Sequence, residues 1–245
     1  RNSKISQNNS ISDILINLSL GVEKGSKVLL NNAGILLFGK NIKRFIRNNL
    51  ISCILFKGIE RVNIIDRKEF SGDLLSNYED TMKFLKQHLR LEYIIKGAGA
   101  RQEILEIPEE ALREALINSI IHRDYSESGF NVSVDIFDDR VEITNYGRLL
   151  FDKNKLGRVS FPRNPVIFDM FYRVNLIEKA GSGISRIRNL LKERNLKARF
   201  EIDDIFSIIF ERSSFKKNRE KTVEKTVEKT VEKTVEKTVE KVLQL

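Results

Sequence analysis

The chain has 245 residues, 41% of them hydrophobic, and a net charge of +9, enough length for one large or two modest domains with real cores. No apolar run approaches the ~20 residues of a membrane span, Arg1 opens no charged, apolar, small leader pattern, and one cysteine with two histidines excludes an internal disulfide and the usual zinc sites. The expectation is a cytoplasmic protein with an anionic partner and no membrane attachment. Nine basic and six acidic residues between Lys216 and Lys241 supply +3 of the charge. The clusters Lys40, Lys43, Arg44, Arg47 and Arg186, Arg188, Lys192, Arg194 each read first as solvated surface.

Residues 1–10 are polar, and 11–20 read as a short helix ended by Gly21. Gly34, Gly39 and Lys40 fit the G-x-x-x-x-G-K frame of a phosphate loop. Asn41, however, stands where a Ser or Thr would hold magnesium, and Ile35-Leu-Leu-Phe38 is a core segment instead of exposed, turning backbone. A buried helix capped by Gly39 is the better reading. Residues 51–56 and 61–65 predict a hairpin. Between 74 and 95, Leu75, Tyr78, Met82, Leu85, Leu89 and Tyr93 return at helical spacing, which predicts one long helix broken at Gly97-Ala-Gly99. Residues 101–107 alternate like a strand.

The segment 108–147 carries polar residues at spacings that packing does not explain. Pro108 suits the first position of a helix, and Glu109 and Glu110 suit its positive end. Leu112, Ala115, Leu116, Ser119 and Ile120 form the inward stripe, while Glu114, Asn118 and His122 follow at i, i+4 and i+8 along one edge. Alone, that edge reads as a wet surface. Strands at 130–137 and 141–144 then deliver Asn145-Tyr-Gly147 to a strand end, and Gly181-Ser-Gly183 opens a helix predicted over 184–194. A helix at 166–172 and strands at 200–202 and 206–210 complete the body. Beyond it, Glu-Lys-Thr-Val repeats from Glu220 to Val239. Each repeat turns its valine about 40° around a helix of ~3.6 residues per turn, which favours a solvated spacer over a coiled bundle.

The constellation is therefore a helix with Glu-x-x-x-Asn, a strand end with Asn-x-Gly, and a Gly-x-Gly loop before a helix. In this order it resembles the N-box and the two glycine boxes of the GHKL (Bergerat) ATPase superfamily. More closely, Leu112 to Tyr125, Val141-Glu-Ile-Thr-Asn-Tyr-Gly147, Arg163-Asn-Pro165 and Ala180-Gly-Ser-Gly-Ile184 resemble the GHKL-like domain of proteins described as RecG-related ATP-dependent DNA helicases and transcriptional regulators. The resemblance covers roughly residues 28–212, with Asn32 to Gly39 and Phe56-Lys-Gly58 matching the segment before that domain. It implies an α+β fold, a two-layer α/β sandwich with a mixed sheet and helices on one face. The implied parts are an N-terminal α/β extension (1–95), a nucleotide-binding domain (96–213) and a charged repeat linker (214–245). A Schlafen-like, AlbA-related DNA-binding domain would lie upstream and a winged helix downstream, so that DNA is a partner through segments outside this chain.

The resemblance also implies ATP as ligand, Mg2+ as cofactor and a homodimer formed on ATP. Asn118 would offer its amide oxygen to magnesium, and Glu114 would take the proton of an attacking water. Gly181, Ser182 and Gly183 would bring backbone N–H groups to phosphates at a helix start. Asn145 and Gly147 would meet the adenine. His122 and Asp124 would touch phosphate or magnesium, or else cap the helix; Arg163 and Asn164 would belong to a lid over the nucleotide, or else start the next helix. Two positions depart from the superfamily: Asn145 replaces an Asp, and Ser185 replaces a third glycine. His122-Arg-Asp124 is not a kinase catalytic loop, because Gly129 stands where that loop needs Asn and no Asp-Phe-Gly follows. The expected function is a magnesium-dependent, ATP-binding and ATP-hydrolysing switch domain of a DNA-associated regulator. A non-enzymatic interaction module is the alternative. No helicase motor motif is present, so unwinding is not expected.

Overall fold

A computed structural model of the protein describes residues 10–94, 102–158, 161–177 and 183–212. The repeat tail, Gly97, Gly99, Gly181 and Ser182 lie outside the described residues. Ser10 caps α1 (Ile11–Asn17) through reciprocal bonds with Asp13. Ser19 then turns left-handed at φ 56°, so the helix expected to reach residue 20 stops early. Gly21 opens a hairpin that the sequence reading missed, β1 (Gly21–Lys24) with β2 (Lys27–Leu30). Helix α2 (Asn32–Phe38) runs from an Asn31 cap to Gly39 and buries Leu36 and Leu37. A Cβ on Gly34 would lie 2.1 Å from the Leu20 carbonyl oxygen, so this glycine is a close packing contact and not part of a phosphate loop.

The hairpin β3 (Ile51–Lys57) and β4 (Asn63–Phe70) is longer than predicted. Helix α3 (Leu74–His88) is shorter. Its expected last turns are instead β5 (Leu91–Ile94), paired antiparallel with β6 (Gln102–Leu105). Leu91-Glu-Tyr-Ile alternates as well as it repeats, and a strand partner decides which period wins. Helix α4 (Glu109–His122) starts one residue later than expected; Pro108 is its cap and accepts from the N–H groups of Ala111 and Leu112 at 3.0 and 3.2 Å. There follow β7 (Val132–Ile136), β8 (Arg140–Tyr146), α5 (Pro165–Arg173), α6 (Gly183–Glu193), β9 (Ala198–Ile202) and β10 (Ile205–Glu211).

Six strands form one mixed sheet in the order β4-β3-β7-β8-β10-β9. Only β3 and β7 run parallel; the other neighbours are antiparallel. The sheet thus takes strands from both sides of residue 95, and one apolar core joins Leu36, Cys53 and Leu85 to Leu116, Ile143 and Phe210. The helices cover one face. The other carries polar groups such as Ser133, Asp135, Glu142 and Thr144, with Arg61 bonded to Asp135 at 3.0 Å and to Glu142. This is the two-layer α+β arrangement expected. Leu112, Leu116, Ile117 and Ile120 of α4 are at most 1% exposed. At about 1.5–3 kcal/mol for each such side chain, burial and not helix propensity holds α4 in place. Farther round the core, the Arg212 guanidinium donates to Glu106 Oε1 at 2.7 and 3.0 Å, and the same oxygen accepts the Arg90 N–H at 3.0 Å.

Candidate functional site

Along α4 the inward stripe is buried, while Glu114, Asn118 and His122 are half-buried and line a cleft. Helix α6 begins directly against this edge. A Cβ on Gly183 would lie 2.1 Å from Glu114 Oε1 and 3.2 Å from Asn118 Nδ2. Glycine lets the helix start come this close with both side chains in place, and it brings the positive dipole end of α6 to a carboxylate and an amide. Glu114, Asn118 and Gly183 are therefore one cluster, although 65 residues of sequence separate Asn118 from Gly183.

The far end of α4 meets the end of β8. The Asp124 N–H donates to the Tyr146 carbonyl at 2.9 Å, and the Gly147 N–H donates to the Asp204 carbonyl at 3.1 Å. A Cβ on Gly147 would sit 2.4 Å from the His122 carbonyl oxygen, so close passage of the two backbones requires glycine here. Asn145, on the helix-facing side of β8, is fully buried. Among the described residues neither its Oδ1 nor its Nδ2 has a hydrogen-bond partner. It pairs in register with Phe206 and precedes Gly147 by two residues, both of which line the cleft. Each unpaired buried polar atom costs about 1–3 kcal/mol, a cost that a bound molecule offering a donor and an acceptor would remove.

His122 faces the cleft, where burial and then the nearby Arg163 charge hold its pKa down to about 4. It is thus a neutral imidazole at physiological pH. Asp124 is engaged in the turn after the helix: one oxygen accepts from the Ser126 hydroxyl at 2.6 Å and N–H at 3.1 Å, and the other from Arg163 at 3.1 Å. The Ser126 hydroxyl bond is the largest cause of its lowered pKa. Arg163 also donates to the Arg148 carbonyl at 2.8 Å. The Asn164 amide donates to the carbonyls of Ile121 at 2.7 Å and Arg123 at 2.8 Å, and Pro165 follows at the first position of α5. Asn164 thus closes the C-terminal end of α4 together with the Tyr125 hydroxyl, which donates to the Ile120 carbonyl at 3.1 Å, while Arg163 braces the turn that follows.

Sequence reasoning missed the contact made by Ser185 and the apolar walls of the cleft. Ser185, at the place of a third glycine, donates to the Gly157 carbonyl at 3.1 Å and ties the loop after β8 to the first turn of α6. Phe151, Phe161, Phe168 and Phe206 give the cleft apolar walls. The only signal for Phe206 was its place on a strand that could pair with the one carrying Asn145. Oxygen donors from Glu114 and Asn118 suit a hard cation such as Mg2+, which needs few protein ligands beside phosphate. Among the described residues no cluster of three His, Cys, Asp or Glu side chains offers a metal cage.

Fold and site together define a two-layer α+β protein whose helical layer carries a polar helix edge closed by a glycine-opened second helix. Residues 129–210 match the family described as "Putative ATP-dependent DNA helicase recG C-terminal", which makes this part of the chain similar to an ATPase-like domain. The matched span contains Asn145, Gly147 and Gly183 but begins after α4. No curated protein matches the chain. Among solved structures it is similar to the DIP2311 protein from Corynebacterium diphtheriae, with a TM-score of 0.67 and 17% sequence identity over 84% of this chain and 41% of that one. At that identity the likeness is one of fold, and this chain spans well under half of the relative's length. No helix among the described residues is long and apolar enough to cross a membrane.

Proposed function

We propose that the cleft binds ATP with Mg2+ and hydrolyses it, and that the chain is a nucleotide-operated switch within a larger DNA-associated regulator. The observation that carries this reading is the contact of Gly183 with Glu114 and Asn118. It joins a general-base candidate, a neutral oxygen donor and a helix N-terminus in one place. Asn118 would hold the cation through its amide oxygen; the cation, when bound, offsets phosphate charge. Glu114 would take the proton from a water whose oxygen attacks the γ-phosphorus, as the bond to the β–γ bridging oxygen breaks and ADP leaves. Gly183, with Gly181 and Ser182, would present backbone N–H groups to the phosphates. His122, neutral beside Asn118, would hydrogen-bond a phosphate or its water. Asn145 and Gly147 would meet the base. In the same proposal, Asp124, Arg163 and Asn164 position the end of α4, DNA is reached through segments outside this chain, and two copies pair on ATP.

A second reading is a GHKL-like interaction module without turnover, which Asn145 favours because an amide lacks the charge that would strengthen its bond to an adenine amino group. Nucleotide binding and phosphate release, measured with and without Mg2+, separate the two. Glu114→Ala is expected to keep binding and lose turnover by about 10²–10⁴-fold, and Asn118→Ala to lose the Mg2+-dependent part of binding. Binding without turnover in the wild type selects the second reading. A wild type with no affinity for ATP or any other purine nucleotide at millimolar concentration refutes both nucleotide roles.

A further inference from the structure

Resting on the nucleotide reading above, we infer that the base end of this cleft takes 6-amino and 6-oxo purines alike, so that the switch answers to GTP as well as ATP. Asn145 is the residue responsible. Its amide is fully buried, with both ends unpaired, directly behind the cleft wall, where it pairs in register with Phe206 and precedes Gly147 by two residues. An amide offers one acceptor and one donor side by side. Adenine presents the complementary pair, an amino donor at position 6 and an acceptor at N1. Guanine presents the reverse, an acceptor at O6 and a donor at N1. Turning the amide over exchanges its two ends.

That exchange is open here because no atom of the described residues bonds Oδ1 or Nδ2, and the terminal torsion of Asn has two roughly equivalent wells. A recognition amide that reads a single base is normally pinned by a neighbour that fixes which end points outward. This one has no such neighbour among the described residues. A carboxylate at the same position has acceptors only, so it matches one half of either edge, the adenine amino group or the guanine N1–H, and opposes the other half. The phenylalanine walls reward a large flat bicyclic base without regard to its edge substituents.

The test is equilibrium binding of Mg·ATP and Mg·GTP to the wild type, Asn145→Asp and Asn145→Ala, with melting curves to check that each variant folds. The wild type is expected to bind the two nucleotides within about tenfold of each other. Asn145→Asp, which keeps an acceptor but has no donor, is expected to weaken both nucleotides, since a site that loses a needed partner rejects a ligand strongly. Asn145→Ala is expected to weaken both nucleotides by a similar factor. If Asn145→Asp does not fold, the wild-type ratio and the alanine variant decide. A wild type that binds ATP and discriminates against GTP by more than tenfold overturns the inference and leaves the nucleotide site standing. A folded Asn145→Ala that binds both nucleotides as tightly as the wild type also overturns it. A wild type that binds neither removes the nucleotide reading itself.

Discussion

Replacing Gly147 by Ala tests the junction on which both ends of the cleft depend. The new Cβ would lie 2.4 Å from the His122 carbonyl oxygen, whereas a comfortable carbon–oxygen contact is about 3.3 Å. One backbone must therefore retreat by roughly 0.9 Å. The retreat would break the Asp124 N–H bond to the Tyr146 carbonyl at 2.9 Å, or strain the Gly147 bond to Asp204 at 3.1 Å. Overpacking costs about 1–3 kcal/mol and one lost hydrogen bond about 1 kcal/mol more. A loss of roughly 2–4 kcal/mol is expected in urea unfolding followed by circular dichroism. Gly129→Ala is the control, since a Cβ there meets nothing within 4 Å. Should Gly147→Ala match the wild type within about 0.5 kcal/mol, the backbones of β8 and α4 do not touch as described.

Three further perturbations follow from the same contacts. Asn164→Ala removes the donor shared by the Ile121 and Arg123 carbonyls and should cost about 1–3 kcal/mol, read in the same unfolding assay. Glu106→Ala strands the Arg212 guanidinium, 7% exposed, without its carboxylate. That should cost about 3–5 kcal/mol, and a loss below 1 would mean that water reaches the pair. His122 has a folded pKa of about 4 against 6.5, so the unfolded chain binds the proton more tightly. Its contribution is full above pH 6.5 and is lost as pH falls toward 4, by roughly 2–3 kcal/mol once its partial exposure is allowed for. Histidine NMR titration should show one resonance with a depressed midpoint, absent in His122→Gln, and an ordinary midpoint for that resonance would sink the claim.

The edge of α4 was legible because a helix repeats: Glu114, Asn118 and His122 had to share a side once the helix was recognised. The strand end was legible because Val141 to Tyr146 alternates up to Gly147. What the sequence did not reveal were contacts made at long separation. Nothing local shows that Gly183 touches Glu114, that Asn164 closes a helix some 40 residues earlier, or that the Asn145 amide is sealed without a partner. Helix α3 was overextended because Leu89 and Tyr93 fit a helical period, and only the strand paired with Leu91–Ile94 reveals the competing one. The β1–β2 hairpin was missed because Gly21 served equally well as a helix stop.

The parallel pairing of β3 with β7 makes a last prediction about what the site needs in order to exist. Ile51 to Leu55 register with Val132 to Ile136, and β7 carries β8 and with it Asn145 and Gly147. Removing residues 1–95 would expose the edge of β7 as a template for aggregation. It would also strip the core of Leu36, Cys53, Phe84 and Leu85, each at most 3% exposed, at about 1.5–3 kcal/mol for each large apolar side chain. Helix α4 would lose its neighbour α3 and the Lys86–Glu109 ion pair at 2.6 Å near its start. A chain beginning at residue 96 should therefore lack a cooperative urea transition and bind no nucleotide. If it unfolds cooperatively with the full chain's midpoint, the N-terminal strands decorate the sheet and do not complete it.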